Sequence, residues 1–573
     1  MSGFSGYMIK SPMFQAQLDA FTFGSTQNEL FPYQSEIKTP QLRVAWYSNH
    51  KFKRDKGFVQ NKSIVFGFDG INLTKDTSKE NWINQDNLQV IEKAAATNTL
   101  GSYFKPMKGT FQAFYFNETT QSLTLVTDHT GSKPLFYFED DSVFIFSSSL
   151  FFVKEMLAYL GIKTSLNTIA AYEFVTFGYL LTNHTLVQEI KKLEPAQLLN
   201  ASIASQSTIQ TYYKFNNQVQ IHQVNAAVFE QLDDLFVRSI KLEYNKDLQY
   251  GYSHFGHISG GLDSRLNVML ANELGYTNQT NITFGQDQSS DEQIAREITN
   301  DLGHLHLIVK LGDGNYLQQP TLPLILNNCS VYYFGAAQTL LANQQLNFDV
   351  FGLTHNGILA ESSKGGYLKN AYHEPAHANR WGVSSTLLSR IQAEVDANAQ
   401  QTNDELFALY NRGFNAIHNG TWMTEPFTSS VYTYMEPDFA DFAFSIDPKY
   451  RVNGNLTIDW MNFKHPKVNQ YRWKYDALPT SNKHKLLAAR IQNRLKIILG
   501  KKDAVAIPVQ KWFESNPALT ALLHKQYQLN AIENKQLATD LKLLSEQGST
   551  FEKLLVFNFF SAFKLLFPEK HES

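Results

Sequence analysis

Two different periodicities divide this chain. Through residues 108–116 and 123–128, apolar and polar residues alternate, and both stretches are predicted strands. From residue 224 to 244 the apolar residues instead recur at helical spacing: Val228, Leu232, Leu235, Phe236 and Ile240 share one face. Short apolar segments then alternate with amphipathic ones. Residues 255–258 predict a strand and 266–271 the start of a helix, and 281–285 a second strand ending in glycine. Ser289 opens a helix running through Ala295, Ile298 and Leu302, followed by strands at 306–309 and 348–354. Strand, helix, strand, helix, strand predicts an α/β fold with a doubly wound parallel sheet, where ligands sit at the carboxyl ends of strands. Residues 384–420 are predicted as a polar-rich helical cover, and apolar stripes at 486–499, 519–523 and 537–544 as helices of a C-terminal core. A polar, low-complexity stretch at 200–208 separates the two patterns and is predicted as a turn-rich connection, giving domains at 1–205 and 220–573.

Composition narrows the class. A chain of 573 residues with 43% hydrophobic content can bury more than one core. The formal net charge of −3 offers no global basic field for nucleic acid. A single cysteine, Cys329, excludes an internal disulfide and a cysteine-rich metal site, as expected for a reducing cytosol. No apolar run approaches the roughly 20 residues of a membrane helix, and the first residues lack a basic region followed by an apolar core. The expectation is a cytoplasmic protein with no membrane or nucleic-acid partner, and with homodimer formation left open.

The sharpest chemical signal is His257-Ile258-Ser259-Gly260-Gly261-Leu262-Asp263-Ser264-Arg265, a glycine turn between a predicted strand and a predicted helix. Paired glycines let the backbone turn tightly and bring N–H groups to an anion, and the helix adds unpaired N–H groups and its positive dipole end. Serine hydroxyls donate to phosphate oxygens, and a carboxylate such as Asp263 can hold Mg²⁺. The Gly-Lys-Ser/Thr ending of a Walker A loop is missing. The string resembles the Ser-Gly-Gly-x-Asp-Ser pyrophosphate loop of the asparagine synthetase and N-type ATP pyrophosphatase family. That resemblance implies ATP and Mg²⁺ as cofactors, with Ile258, Ser259, Gly260, Gly261, Asp263 and Ser264 around the phosphates. It also places Phe284 and Gly285 beside the adenine, and Gly352 on the next strand of the nucleotide site.

The N-terminal third carries a second resemblance. Met1-Ser2-Gly3-Phe4-Ser5-Gly6 matches the opening of class II glutamine amidotransferases, with Ser2 where the family has its nucleophilic cysteine once Met1 is removed. Asp128-His129-Thr130-Gly131-Ser132-Lys133-Pro134-Leu135-Phe136-Tyr137 resembles the Arg-Asp-x-x-Gly-x-Lys-Pro-Leu-Tyr-Tyr signature of the same domain in asparagine synthetases, and residues 185–195 resemble its exit. The fold implied is the αββα sandwich of N-terminal nucleophile hydrolases. Two departures bear on activity: a serine hydroxyl is a weaker nucleophile than a thiol, and the family's Asn-Gly-Glu is Asp69-Gly70-Ile71, whose Ile71 cannot pair with the ammonium of glutamine. The expected domain is a scaffold without efficient glutaminase activity, as in β-lactam synthetases and lasso-peptide cyclases. A weak amidase with Ser2 as nucleophile is the other reading.

Downstream, the family's Gly-Asp/Glu-Gly-x-Asp-Glu stretch stands as residues 355–362, in which Glu361 aligns with the metal-linked acid, and Gly365-Gly366-Tyr367 with the closing glycines. Arg472-Trp473-Lys474 falls where the family places a catalytic lysine, so Lys474 and Arg472 would balance charge on departing pyrophosphate. Asp291 and Glu292 sit where the family has Ser-Asp-Glu, with helix capping an equally good reading; His355, at a strand end, could touch phosphate, but a lone histidine is more often structural. The resemblance implies a ligase that adenylates a small-molecule or peptide carboxylate, releases pyrophosphate, and joins the acyl group to a nitrogen donor. That donor is left open among free ammonia, the substrate's own amine and a carrier-bound amine. A conventional glutamine-hydrolysing asparagine synthetase and a non-catalytic ATP-binding scaffold are the alternatives.

Overall fold

The computed structural model describes residues 2–24, 30–377, 380–400, 402–473, 477–498 and 505–568. Its N-terminal part holds two six-stranded sheets. In one, Gly3–Ile9 lies between Leu42–Ser48 and Val143–Ser147; in the other, Gly109–Asn117 lies between Ile64–Asn72 and Ser122–Thr127, all antiparallel. Phe4, Val44, Phe114, Phe116, Phe144 and Phe146 fill the space between the sheets. Helices Leu150–Tyr159 and Thr168–Phe177 cover the outer face of the first sheet, and Gln85–Ala96 with Leu100–Phe104 that of the second. Strands covered on both faces have no solvent side. That explains uninterrupted runs such as Val143-Phe144-Ile145-Phe146. This is the αββα sandwich expected.

The polar stretch after residue 200 is not a linker. Gln197–Ser202 pairs antiparallel with the exposed edge strand Thr208–Thr211, so the sandwich runs on to residue 211, past the predicted end at 205. Its polarity reflects a hairpin turn and an edge strand facing water.

The second sheet system is parallel, in the order Leu305–Lys310, Gln279–Gly285, Ser253–His257, Phe351–His355, Ser430–Val431. Chain order reverses between the third and fourth of these strands, the switch point where doubly wound sheets open a crevice. The strand expected over 348–354 begins later. Asn347 caps a 3₁₀ turn at Phe348–Val350, and the strand is Phe351–His355. Helix Ala226–Tyr250 lies along this strand and buries Leu232, Phe236, Ile240 and Tyr244. The C-terminal helices Lys535–Gln547 and Thr550–Leu566 pack on the first domain, Leu541, Phe559 and Phe563 sharing one core with Phe152, Leu157 and Phe174. Among the described residues no helix is long and apolar enough to cross a membrane.

Candidate active site

Strand Ser253–His257 delivers Ile258, Ser259 and Gly260 to the switch point, and helix Leu262–Glu273 departs from Gly261. No side chain caps that helix, so its first N–H groups stay available to a ligand. Ser259, Gly261, Asp263, Ser264, Phe284 and Ile258 line one cavity of about 310 Å³. The loop is held by its own groups: Ser264 Oγ accepts the Ser259 N–H at 3.1 Å, Ser259 Oγ accepts the Gly261 N–H at 3.1 Å, and Asp291 Oδ1 accepts the Gly260 N–H at 2.8 Å. A carboxylate oxygen on the Gly260 N–H is what a phosphate oxygen would replace. Gly357, from the segment after the neighbouring strand, packs onto the helix start so closely that a Cβ there would lie 2.4 Å from the Ser264 nitrogen. Beneath the loop, the buried guanidinium of Arg265 holds the carbonyls of Gly260 at 2.5 Å and of Arg472 at 2.7 Å. Burial lowers its pKa to about 10, which leaves it charged at neutral pH.

Asp263 lines this cavity, and Glu361 lies within its electrostatic reach. Asp263 Oδ2 accepts from Lys364 Nζ at 2.6 Å, while Asp263 Oδ1 and Glu361 Oε2 are buried without a partner. Burial raises the pKa of Glu361, and Asp263 adds to that shift while Lys364 opposes it. Two orphaned carboxylate oxygens are the hard donors that Mg²⁺ takes, so the expected metal fits here, with Lys364 already on one of the oxygens it would use.

Gly352 is placed differently. It faces the helix behind the sheet, where a Cβ would lie 2.0 Å from Asp247 Oδ1, and it is not among the residues lining the cavity. Its role in the structure is to admit the Asp247 carboxylate, which accepts the Leu353 N–H at 2.7 Å and bonds His254 at 2.8 Å and His355 at 2.7 Å. His355 stacks on Tyr244 with ring centroids 3.8 Å apart. Burial alone would lower its pKa, but Asp247 and Glu243 raise it to about 9. The residue is a buried counter-ion and does not line the cavity.

In the first domain, Ser2 is only 1% exposed. Its hydroxyl donates to Asp69 Oδ2 at 2.9 Å and lies 3.1 Å from Glu425 Oε2, while Lys133 Nζ reaches the hydroxyl oxygen at 3.0 Å and Glu425 at 2.5 Å. Trp46 Nε1 donates to the other oxygen of Asp69 at 3.0 Å. Asp128 builds the turn that delivers Lys133, accepting the N–H groups of Phe111 and Thr130 at 2.8 Å each. Burial disfavours the Lys133 charge, but Glu425 and Asp69 outweigh it and raise its pKa, so it is no base for a hydroxyl. Burial likewise pushes Asp69 up, and Lys133 and Lys56 hold it below the usual carboxylate range. Ile71 packs with Leu353 and Val431 of the other half. The nucleophile position is closed by a cation and two carboxylates.

Residues 65–213 match the family model of the glutamine amidotransferase domain. Over 214 residues the chain is 23% identical to the glutamine-hydrolysing asparagine synthetase 1 of Bacillus subtilis, a match spanning 37% of this chain and 32% of the relative. Residues 65–213 are thus similar to a glutamine amidotransferase domain, and the chain spans about a third of the asparagine synthetase that it matches. Solved structures overlap it loosely. Glutamine phosphoribosylpyrophosphate amidotransferase of B. subtilis covers 55% of this chain and 85% of its own, at 9% identity and a TM-score of 0.23. Nicotinamide mononucleotide synthetase of Francisella tularensis covers 48% of this chain and 98% of its own, at 14% identity and a TM-score of 0.18. Overlaps at these scores support no inference about this chain.

Outside the matched residues, all the predicted loop residues except Gly260 line one cavity with Phe284, and Gly285 ends the same strand as Phe284. Arg472 is joined to the loop through its carbonyl and Arg265. Lys474 lies outside the described residues. Sequence reasoning missed Lys364 and Glu425. Lys364 directly precedes the closing glycines and is i+3 from Glu361, a spacing that puts both on one helical face. Glu425 carried no local signal, because it lies 423 residues from the hydroxyl it meets.

Proposed function

We propose that this protein is an ATP-dependent amide-bond-forming ligase that adenylates a substrate carboxylate and transfers the acyl group to a nitrogen nucleophile not released from glutamine at Ser2. The carrying observation is the cavity lined by the Ser259–Ser264 loop at the switch point, with an unpartnered oxygen of Asp263 in its lining and one of Glu361 within electrostatic reach of Asp263. In the reaction, a carboxylate oxygen attacks the α-phosphorus of ATP and pyrophosphate leaves; the amine nitrogen then attacks the acyl carbon and AMP leaves. Backbone N–H groups of the loop and helix start, with Ser259 and Ser264, would bind the phosphates, Asp291 yielding the Gly260 N–H to them. Asp263 and Glu361 would hold Mg²⁺, which supplies charge neutralisation on the pyrophosphate. Lys364, and Arg472 or Lys474, would add positive charge on the leaving side. Orientation and charge balance are the protein's contribution.

Closure of the Ser2 site supports a nitrogen source other than glutamine. Glutamine would have to displace the Lys133–Glu425 pair from around the hydroxyl. The test is paired. Glutamate release from glutamine should stay at background, while pyrophosphate formation from ATP should depend on an added acid and vanish in Asp263→Asn. Glutamate release coupled to ATP use would favour a conventional asparagine synthetase instead.

A further inference from the structure

The nucleotide-side cavity continues into a second one. His257, Phe284, Asn356 and Ile358 line both, and the second space, about 270 Å³, extends to Phe177 and Tyr179 of the first domain. Its wall is mostly apolar, with Val331, Tyr332, Val383 and Ile417 adding to the two aromatic residues. Among the described residues lining it, one side chain is charged: Arg412. No described carboxylate forms an ion pair with that guanidinium; it lies 5.8 Å from the Trp381 ring, and its charge reaches Glu361 and Tyr367.

Two further observations mark the space as built for a polar ligand end. First, Arg412 belongs to the π-helical segment Leu409–His418, which also contributes Ala416 and Ile417 to the wall. π-helical turns are rare, and they are frequently found at functional sites. Second, three lining residues carry buried polar atoms with no partner: Thr354 Oγ1, Gln338 Oε1 and His257 Nε2. Thr354 and Gln338 are 2% and 6% exposed, where an unmet polar atom is expensive. His257 sits at the junction of the two cavities, and burial keeps it neutral with a pKa of about 4. It can therefore donate or accept one hydrogen bond without adding charge.

We propose that this second cavity is the acid-substrate site, and that it takes a compact monocarboxylic acid with an aromatic or branched apolar body and no ammonium group. Arg412 pairs with the carboxylate, and the apolar wall holds the body. The volume lies just below the roughly 300–1,000 Å³ of common ligand pockets, which suits a compact acid. The charge inventory of this cavity favours an acid without an ammonium over an amino acid. An α-ammonium would find no carboxylate among the described lining residues, and the second carboxylate of aspartate would have no second cation. The assignment of this cavity to the reacting acid rests on the ligase reading above; the ligand chemistry rests on the cavity alone.

The test is direct binding to the full chain without nucleotide, by calorimetry, using 3-phenylpropionate, 4-methylpentanoate, 3-phenylpropanamide and aspartate. Wild type, Arg412→Gln and Thr354→Val are compared, with circular dichroism melts confirming that each variant is folded. The expected result is binding of both apolar acids, at least about tenfold weaker binding of the amide and of aspartate, and about thirty-fold weaker acid binding in Arg412→Gln. Thr354→Val, which removes the hydroxyl but no charge, should weaken the acids by only about two- to fivefold. Tighter binding of aspartate, no binding of either apolar acid, or acid binding unchanged in Arg412→Gln would each overturn the proposal. Acid binding with no acid-dependent pyrophosphate release would leave this site standing and overturn the ligase reading instead.

Discussion

Replacing Lys133 with methionine tests the closed Ser2 site where it is most constrained. Lys133 Nζ lies 2.5 Å from Glu425 and 3.4 Å from Asp69, all three nearly devoid of solvent contact. Methionine fills a similar volume but leaves two carboxylates facing each other across a serine hydroxyl. Removing one partner from a buried pair costs about 3–5 kcal/mol, whereas an exposed pair is worth about 0–1 kcal/mol. At about 1.4 kcal/mol per factor of ten, the first figure is a drop of about two to three and a half decades in the folding equilibrium. The assay is denaturant unfolding of the full chain followed by tryptophan fluorescence. Trp46 bonds Asp69 directly, and Trp422 Nε1 donates to the Ser132 carbonyl at 2.8 Å next to Lys133. The pH dependence adds a sign. In the wild type the Asp69 contribution is present above its unfolded value near 3.8 and is lost as pH falls through the lower folded value. That of Lys133 is present below 10.5 and is lost only as pH rises through its raised folded value. In the variant Asp69 keeps the burial that raises its pKa but loses the Lys133 charge that most opposes it, so the deficit should be large at pH 7 and shrink toward pH 4. A deficit below about 1 kcal/mol, or one independent of pH, would refute a dry ionic plug at Ser2.

The same closure predicts that Ser2→Cys does not generate a glutaminase, since a better nucleophile still faces Lys133 and Glu425; glutamate release above background in that variant would contradict it. Lys364→Met frees Asp263 Oδ2, so the Mg²⁺ concentration that half-saturates nucleotide binding should fall several-fold, and an unchanged requirement would exclude Lys364 as a competitor for the metal position. His355→Gln removes the charge between Asp247 and Glu243 and should destabilise by about 3 kcal/mol near neutral pH, measured by denaturant midpoint. Because His355 is raised to about 9, its contribution is complete below its unfolded value near 6.5 and fades as pH rises through 9, so the deficit of the variant should shrink over that window. A deficit constant from pH 6 to 10 would assign the loss to packing on Tyr244 alone.

Local chemistry made much of this protein legible from its sequence. The pyrophosphate loop could be read because strand, paired glycines and helix are contiguous, and the sandwich because Asp128 and Lys133 sit in one short signature. Periodicity placed the parallel sheet, but it put the start of the fourth strand too early, since Phe348 is apolar for packing and not for strand pairing. The polar stretch at 200–208 predicts only a turn-rich connection, because an exposed edge strand carries no alternating pattern. Gly352 looked like a ligand-facing glycine, yet it serves Asp247, a close approach across helix and strand that sequence spacing does not encode. Glu425 and Arg412 were invisible for a related reason. Each acts in a pocket assembled from segments far apart in the chain, and neither belongs to a short motif.

The most direct test of the central claim is exchange of labelled pyrophosphate into ATP, in the presence of whichever apolar acid the protein binds, with wild type beside Asp263→Asn. Adenylation at the Ser259–Ser264 loop predicts acid-dependent exchange in the wild type and loss of at least about a hundredfold in the variant, which removes a metal-holding charge from the leaving group. No exchange from a protein that binds both ATP and the acid, or exchange that survives Asp263→Asn, would contradict it.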